Sequence, residues 1–345
     1  MTVFSKISRI LALGAVAMAA FSIAPDVDAR RQNLRLSTLV PKDSSFDKSL
    51  RKMGQEWKQE TGGDVNLILF AGGVQGGETA MIDRMRVNQL QAALISGVGL
   101  SDIDPGVAGL QQIPMMFHTY EELEYVMEHL GPKLEERIRA KGFVVLSWVD
   151  SGWVKIFSKN ELATPEDMKN GKLYTWAGDN RQTDLLKNMG FRPVPIDATE
   201  VTSSLQTGLV DIVPLPPFFA LATQSYRPAP YMLDIRYTPI VGAIVVSEKA
   251  WDRIDEEDQE SMMEIARRYG REMTLAGRAE NEEAITVMKE KWGLQIRESD
   301  QEVTDAWEAA SEEAYSLIRD NTVPADIFDE VVRLLEEYRA QQGSE

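Results

Sequence analysis

Few residues in this chain could carry covalent or acid–base chemistry. It has 2 histidines and no cysteine. His118 and His129 lie eleven residues apart, a spacing that does not place two imidazoles on one helix face as metal ligands. A Ser–His–Asp triad would have to recruit one of them, and no Gly-x-Ser-x-Gly elbow is present to supply the serine. The missing cysteines exclude thiol catalysis and thiolate metal sites. Gly72-Gly73-Val74-Gln75-Gly76-Gly77 is rich in glycine, but no Lys-Ser/Thr pair follows it to complete a phosphate cradle, so it reads as a loop. The chemistry that remains is reversible binding. No enzyme activity, cofactor or metal is expected.

Composition and the chain start fit that reading. Lys6 and Arg9 precede an apolar stretch over residues 10–23, and Val27-Asp28-Ala29 offers the small residues a signal peptidase reads. The stretch is too short for a comfortable membrane span. A signal peptide over residues 1–29 is therefore expected, followed by an exported chain without disulfides. Lys6 and Arg9 cancel Asp26 and Asp28, so the mature chain keeps the formal charge of −17. Such an acidic product is a poor ligand for nucleic acid or anionic lipid.

The elements that would position a site follow an α/β pattern. Residues 34–40 alternate apolar and polar and stop at Pro41, as a strand does. Ser44 and Ser45 offer caps. Phe46, Leu50, Met53 and Trp57 then recur at three- and four-residue steps, which predicts a helix closed by Thr61-Gly62-Gly63. Further strands are predicted over 64–70, 92–95, 143–149, 172–176 and 240–246, and helices over 78–87, 183–189 and 199–207. Ser96-Gly97-Val98-Gly99 reads as a loop after the third strand, a candidate binding element because ligands of α/β sheets sit outside the carboxyl ends of strands. Residues 120–141 read as helical but broken at Gly131-Pro132. Thr164-Pro165-Glu166-Asp167 is a capped helix start. Residues 256–291 predict a long helix with Met263, Ala266, Tyr269 and Met273 as one apolar stripe, and residues 303–319 and 325–341 the last helices.

Several stretches in order carry a resemblance: Leu34-Arg35-Leu36-Ser37-Thr38-Leu39-Val40-Pro41, Thr61-Gly62-Gly63 with Phe70-Ala71-Gly72-Gly73-Val74, Ile113-Pro114-Met115-Met116-Phe117, Leu205-Gln206-Thr207-Gly208-Leu209-Val210-Asp211, and Val246-Ser247-Glu248-Lys249-Ala250-Trp251. Together they resemble the DctP-type extracytoplasmic solute receptors of TRAP transporters. The resemblance covers roughly residues 34–339. It implies an α/β, two-lobe periplasmic binding protein with a ligand cleft between the lobes and long C-terminal helices. The first lobe is expected over 30–152, with a return from about 240–275, the second over 153–239, and C-terminal helices over 276–345 packing across both. The resemblance further implies a periplasmic location and delivery of a small-molecule ligand to TRAP membrane permease subunits.

The chain departs from the family pattern where a ligand carboxylate is usually held. The usual arginine lies on the strand after the Pro-Glu-Asp helix, and Tyr174 takes that place. Val154 follows Gly152-Trp153 where a basic residue is common, and Leu215 stands where a polar residue usually follows Val-Asp-Gly. A buried carboxylate without a cation or several donors costs several kcal/mol. The expected cleft is lined by Trp148, Trp153, Tyr174, Trp176, Leu215 and Phe218, whose apolar surface is worth about 25 cal/mol per Å² buried. Tyr and Trp would add a single polar anchor. The ligand implied is apolar or amphipathic. The alternatives are an organic acid held through Lys155 or Arg181, and a lipid carried without a permease. A branch of the family that resembles this chain in lacking the arginine works with a periplasmic TPR-repeat protein, which adds that protein to the implied partners.

Overall fold

The computed structural model describes residues 31–343. The expected signal peptide lies outside the described residues. Strands run over β1 (Gln32–Thr38), β2 (Val65–Phe70), β3 (Ala92–Ser96), β4 (Phe143–Trp153), β5 (Lys155–Ser158), β6 (Lys172–Trp176), β7 (Arg192–Ile196), β8 (Ile212–Leu215), β9 (Tyr231–Asp234), β10 (Pro239–Ser247) and β11 (Gln295–Glu298). Helices run over α1 (Ser45–Glu60), α2 (Glu78–Arg86), α3 (Gly97–Ile103), α4 (Tyr120–Arg139), α5 (Pro165–Lys169), α6 (Asn180–Asn188), α7 (Val201–Thr207), α8 (Pro217–Ala222), α9 (Glu248–Trp251), α10 (Glu256–Trp292), α11 (Gln301–Ile318) and α12 (Ala325–Gln342).

The strands form two sheets, in the orders β2-β1-β3-β10-β4 and β11-β9-β5-β8-β6-β7. Each is the centre of one lobe. In the first sheet β1 pairs in parallel with β2 and β3, while β10 runs antiparallel between β3 and β4. The apolar stripe of α1 explains its place: Phe46, Leu50, Met53 and Trp57 are buried, and the Trp57 indole donates to the Met262 carbonyl on α10 at 3.0 Å. Ser44 caps α1 by accepting from the Asp47 amide. In the second sheet Thr164 and Asp167 complete a capping box on α5.

The chain crosses between the sheets where β4 runs into β5 and where Tyr237 and Thr238 lead into β10. The Val154 amide donates to the Thr238 carbonyl at 2.8 Å, joining the two crossings. The third tie is α10, whose 37 residues span about 55 Å at 1.5 Å per residue. Asn281 on α10 donates to the Ser151 carbonyl at the end of β4 and accepts from the Phe218 amide of α8 at 3.0 Å. One side chain thus holds both lobes.

Two local expectations are corrected. Helix α4 does not break at Gly131-Pro132 but runs through it. Proline in a helix interior costs about 3 kcal/mol. Leu123, Val126, Leu130, Leu134 and Ile138 form a buried stripe on both sides of Pro132, each worth about 1.5–3 kcal/mol, and this outweighs the lost bond. The Ser96–Gly99 segment is not a loop: Ser96 is the N-cap residue of α3. The proline run after β8 is a helix start, with Pro216 at the N-cap and Pro217 in the first turn of α8.

Helix α10 lies so close to β4 that Gly270 has no room for a side chain. A Cβ there would stand 2.0 Å from the Ser147 hydroxyl oxygen and 3.1 Å from the Trp148 carbonyl oxygen. Gly270→Ala is expected to destabilise the fold by about 1–3 kcal/mol, read as a lower urea midpoint with unchanged slope. An unchanged midpoint would refute this close contact.

Candidate functional site

Between the two sheets lies a cleft of two adjoining chambers. One is about 90 Å³ and is lined by the amide-bearing residues Gln111, Gln112 and Gln182, by Thr175 and Thr238, and by Val154. The other is about 100 Å³ and is largely apolar, with Val40, Phe46, Leu94, Val149, Phe218 and Phe219 around it. Tyr174, Trp176, Leu215, Pro216 and Ile240 line both and form the wall between them. The strands aim these residues. Leu94, Ile95 and Ser96 end β3, Tyr174 and Trp176 end β6, and Leu215 ends β8. The cleft therefore sits at the carboxyl ends of the parallel strands, as in other open α/β sheets.

The lobes meet around it. The Phe46 and Phe218 rings stack across the cleft at 6.0 Å and 3°. The Gln112 amide donates to the Asp179 carboxylate at 2.8 Å. Asp179 also caps α6, accepting from the Gln182 amide at 3.0 Å, and burial raises its pKa.

Two buried polar groups face the apolar chamber. Glu78, first residue of α2, accepts from the Ser96 amide at 2.8 Å, the Ser96 hydroxyl at 2.7 Å and the Gly99 amide at 3.1 Å. Burial still raises its pKa above 4.5, against the pull of these donors. The Tyr174 hydroxyl is enclosed and has no hydrogen-bond partner. Burial, then the nearby Glu78 and Asp197, keep it protonated by raising its pKa well above 10.0. It is a donor without an acceptor, at the junction of the two chambers.

Tyr174, Trp176, Leu215 and Phe218 line the cleft. Trp153 and Lys155 do not. They flank Val154 on an extended strand, where successive side chains point to opposite faces, and they line a different cavity behind the crossing. Lys155 is ion-paired with Asp234 there. Trp148 donates its indole N–H to Glu135 at 2.8 Å and packs beside α4, lining neither chamber. Arg181 is exposed in the first turn of α6, next to Gln182, and makes no ion pair among the described residues. No Lys or Arg lines either chamber. Sequence reasoning missed Phe46, Glu78 and Gln112. Phe46 was visible only as one member of the α1 stripe, and Glu78 only as the first residue of the helix predicted over 78–87. Among the described residues no cluster of His, Asp and Glu could hold a metal, and no helix is long and apolar enough to cross a membrane.

Two lobes closing on a small chamber at strand ends define a solute-binding receptor of the periplasmic binding protein type. The family follows from comparison: the DctP model, bacterial extracellular solute-binding protein family 7, matches residues 36–321, and the chain belongs to that family. A Salmonella typhimurium protein, YiiZ, is 26% identical over 216 residues, 61% of this chain and 65% of that one. The C4-dicarboxylate-binding periplasmic protein DctP of Rhodobacter capsulatus is 24% identical over 306 residues, 86% of this chain and 90% of that one. Among solved structures, the sugar acid binding protein DctPAm of Advenella mimigardefordensis in complex with galactonate is similar at TM-score 0.83 and 18% identity, covering 89% of this chain and 99% of that one. A TRAP periplasmic solute binding protein of Roseobacter denitrificans with bound β-D-glucuronate is similar at TM-score 0.80 and 18% identity, covering 88% and 99%. The family is one of receptors rather than enzymes.

The raised pKa of Glu78 makes a stability prediction. The folded state holds the proton to higher pH than the unfolded state, so stability falls as pH rises from about 4.5 through the folded pKa. Glu78→Gln lacks this loss. Its stability relative to wild type is expected to climb across that window and to level off on either side, measured by urea midpoints from acid to neutral pH. Parallel profiles for the two proteins would refute it.

Proposed function

We propose that this chain is the periplasmic receptor of a TRAP-type importer, and that its cargo is a small organic acid with an apolar or flat body. The observation that carries the ligand reading is the Tyr174 hydroxyl, a buried donor with no partner, set between an amide-lined and an apolar chamber. An acid can direct its polar end to the amides and to Tyr174 while its body packs on Trp176, Phe46 and Phe218. The relatives support the acid: their names and complexes specify C4-dicarboxylates, galactonate and glucuronate. Of the two cations expected to replace the missing arginine, Lys155 is paired with Asp234 behind the crossing. Arg181 is free to reach over the amide-lined chamber from its place beside Gln182. Closure of the lobes would then present the loaded receptor to membrane permease subunits.

A second reading is an uncharged apolar or amphipathic ligand. It is favoured by the absence of any cation in the lining and by Glu78, an acidic group already buried at the apolar chamber. The TPR-repeat partner belongs to this reading. The relatives weigh toward the acid.

Calorimetric titration separates the two. Galactonate, glucuronate and succinate are compared with their neutral methyl esters. The acid reading expects at least one acid to bind with its ester much weaker, and Arg181→Ala to weaken the acid roughly tenfold or more. Esters binding as tightly as acids would overturn it in favour of the second reading. Tyr174→Phe carries a separate expectation. Removing a buried hydroxyl without a partner should raise the stability of the unliganded protein by about 1 kcal/mol while weakening ligand binding. A destabilised variant with unchanged affinity would show that the hydroxyl is structural.

A further inference from the structure

The glycine-rich stretch over residues 72–77 lines neither chamber of the cleft. The structure sets it instead, with the first turn of α2, against the other lobe. A Cβ at Gly73 would stand 2.6 Å from the Thr199 methyl carbon, and one at Gly77 would stand 2.4 Å from the Asp197 Oδ2. The fit is mutual. On the second lobe, a Cβ at Gly178 would stand 2.8 Å from the Thr79 hydroxyl oxygen of the first. The Gln112–Asp179 hydrogen bond closes the same edge. The gap left there between the lobes is about 20 Å³, room for a water or two, so no cargo passes at this edge while the contacts hold.

The side chains that meet these glycines are not free to turn away. Asp197 accepts from the Thr199 amide at 2.9 Å and from its hydroxyl at 2.7 Å. The Thr79 hydroxyl donates to Asp102 at 2.7 Å. Gly77 is the more telling position. Its backbone, at φ −71° and ψ 177°, is open to any residue. As the N-cap of α2 it would favour Ser, Thr, Asp or Asn, whose side chains bond the free amides of the first turn, yet α2 has no side-chain cap. Local conformation does not call for glycine here. The opposite lobe does, because Asp197 fills the space a side chain would need.

We propose that residues 73–79 and 178–199 form the closing seat of the receptor, and that Gly77 is a positioning residue for binding. Its missing side chain sets how closely the lobes approach over the cargo. A single Cβ at this position holds them apart and weakens cargo binding without touching the cargo. The inference rests on the lobe closure of the proposed function and not on whether the cargo is an acid.

The test measures lobe separation directly. The chain has no cysteine, so Val87→Cys on the first lobe and Asn188→Cys on the second, both exposed, carry spin labels for double electron–electron resonance. Distances are recorded on the full mature chain alone and with galactonate, glucuronate, succinate and their methyl esters. Gly77→Ala is expected to lower the short-distance population and to weaken whichever of these ligands binds the parent protein at least about fivefold. Asp197→Ser keeps an oxygen for the Thr199 amide and removes the one facing Gly77, so the double variant Gly77→Ala/Asp197→Ser should recover both. Gly131→Ala is the control: its Cβ would meet only the Trp148 indole, no closer than 3.5 Å and within the first lobe, and it should change neither. A short-distance population in Gly77→Ala equal to the parent's would overturn the proposal. So would a defect that Asp197→Ser does not relieve, or a receptor with no short-distance population under any of these conditions. A protein that closes but answers to none of the acids contradicts the acid reading alone, and the variants still decide the seat.

Discussion

The structure depends on the place where the chain passes between its two sheets. Two strands cross side by side, joined by the Val154–Thr238 hydrogen bond, and α10 runs along both lobes with Asn281 bonded to each. Everything functional is arranged around that seam. The alternation of side chains along an extended strand sends Val154 forward into the amide-lined chamber and sends Trp153 and Lys155 backward. A shift of one residue at the crossing would exchange a valine wall for a charged one. The Arg278 guanidinium, bound to Asp150 at 2.7 and 3.0 Å and to Glu124 at 2.6 Å, fixes the end of β4 against α10 just before the crossing. Asp150 is deeply buried, and desolvation raises its pKa even beside that arginine. Such a pair is costly to break, because either partner alone would be a buried, unpaired charge. The end of β4 is therefore held firmly against α10 at the crossing.

The cleft in front of the seam sets a fully bonded buried group, Glu78, opposite one that bonds to nothing, the Tyr174 hydroxyl. Glu78 uses both carboxylate oxygens to hold the start of α3, and the close fit of Gly99, whose Cβ would approach Glu78 within 2.7 Å, leaves that position to glycine. This anchoring fixes the end of β3 as one wall. The opposite wall, at Tyr174, carries a hydroxyl that bonds to nothing in the chain. An enclosed hydroxyl without a partner costs about 1–3 kcal/mol. On the proposed reading, a ligand oxygen would recover that cost and turn the penalty in the empty receptor into affinity in the loaded one.

Much of this was readable in the sequence, and the part that was not has definite causes. The buried stripe of α1 and the capping box at Thr164 follow from local chemistry and appear in the structure. The break expected at Pro132 is absent because tertiary burial of α4 outweighs a local cost. Strand β7, Arg-Pro-Val-Pro-Ile, was not anticipated; it lies at the edge of its sheet, where proline is tolerated. Tyr174, Trp176, Leu215 and Phe218 line the cleft as expected, because the resemblance points to Tyr174 and Leu215 and the other two lie close to them in sequence. Trp153 and Lys155 were grouped with them by nearness in sequence, but the face of a strand is settled only by where the crossing begins. Phe46 and Gln112 come from the other lobe, and nothing local in the sequence marks them as meeting Phe218 and Asp179.

The central claim is that one small organic acid occupies the two-chambered cleft. It is tested most directly by isolating the protein from its native periplasm and identifying its cargo by native mass spectrometry, followed by denaturation and analysis of the released molecule. The account predicts one carboxylic acid per chain, with occupancy reduced in Tyr174→Phe. A neutral lipid or other uncharged molecule at the same stoichiometry, retained with equal occupancy in Tyr174→Phe, would contradict it.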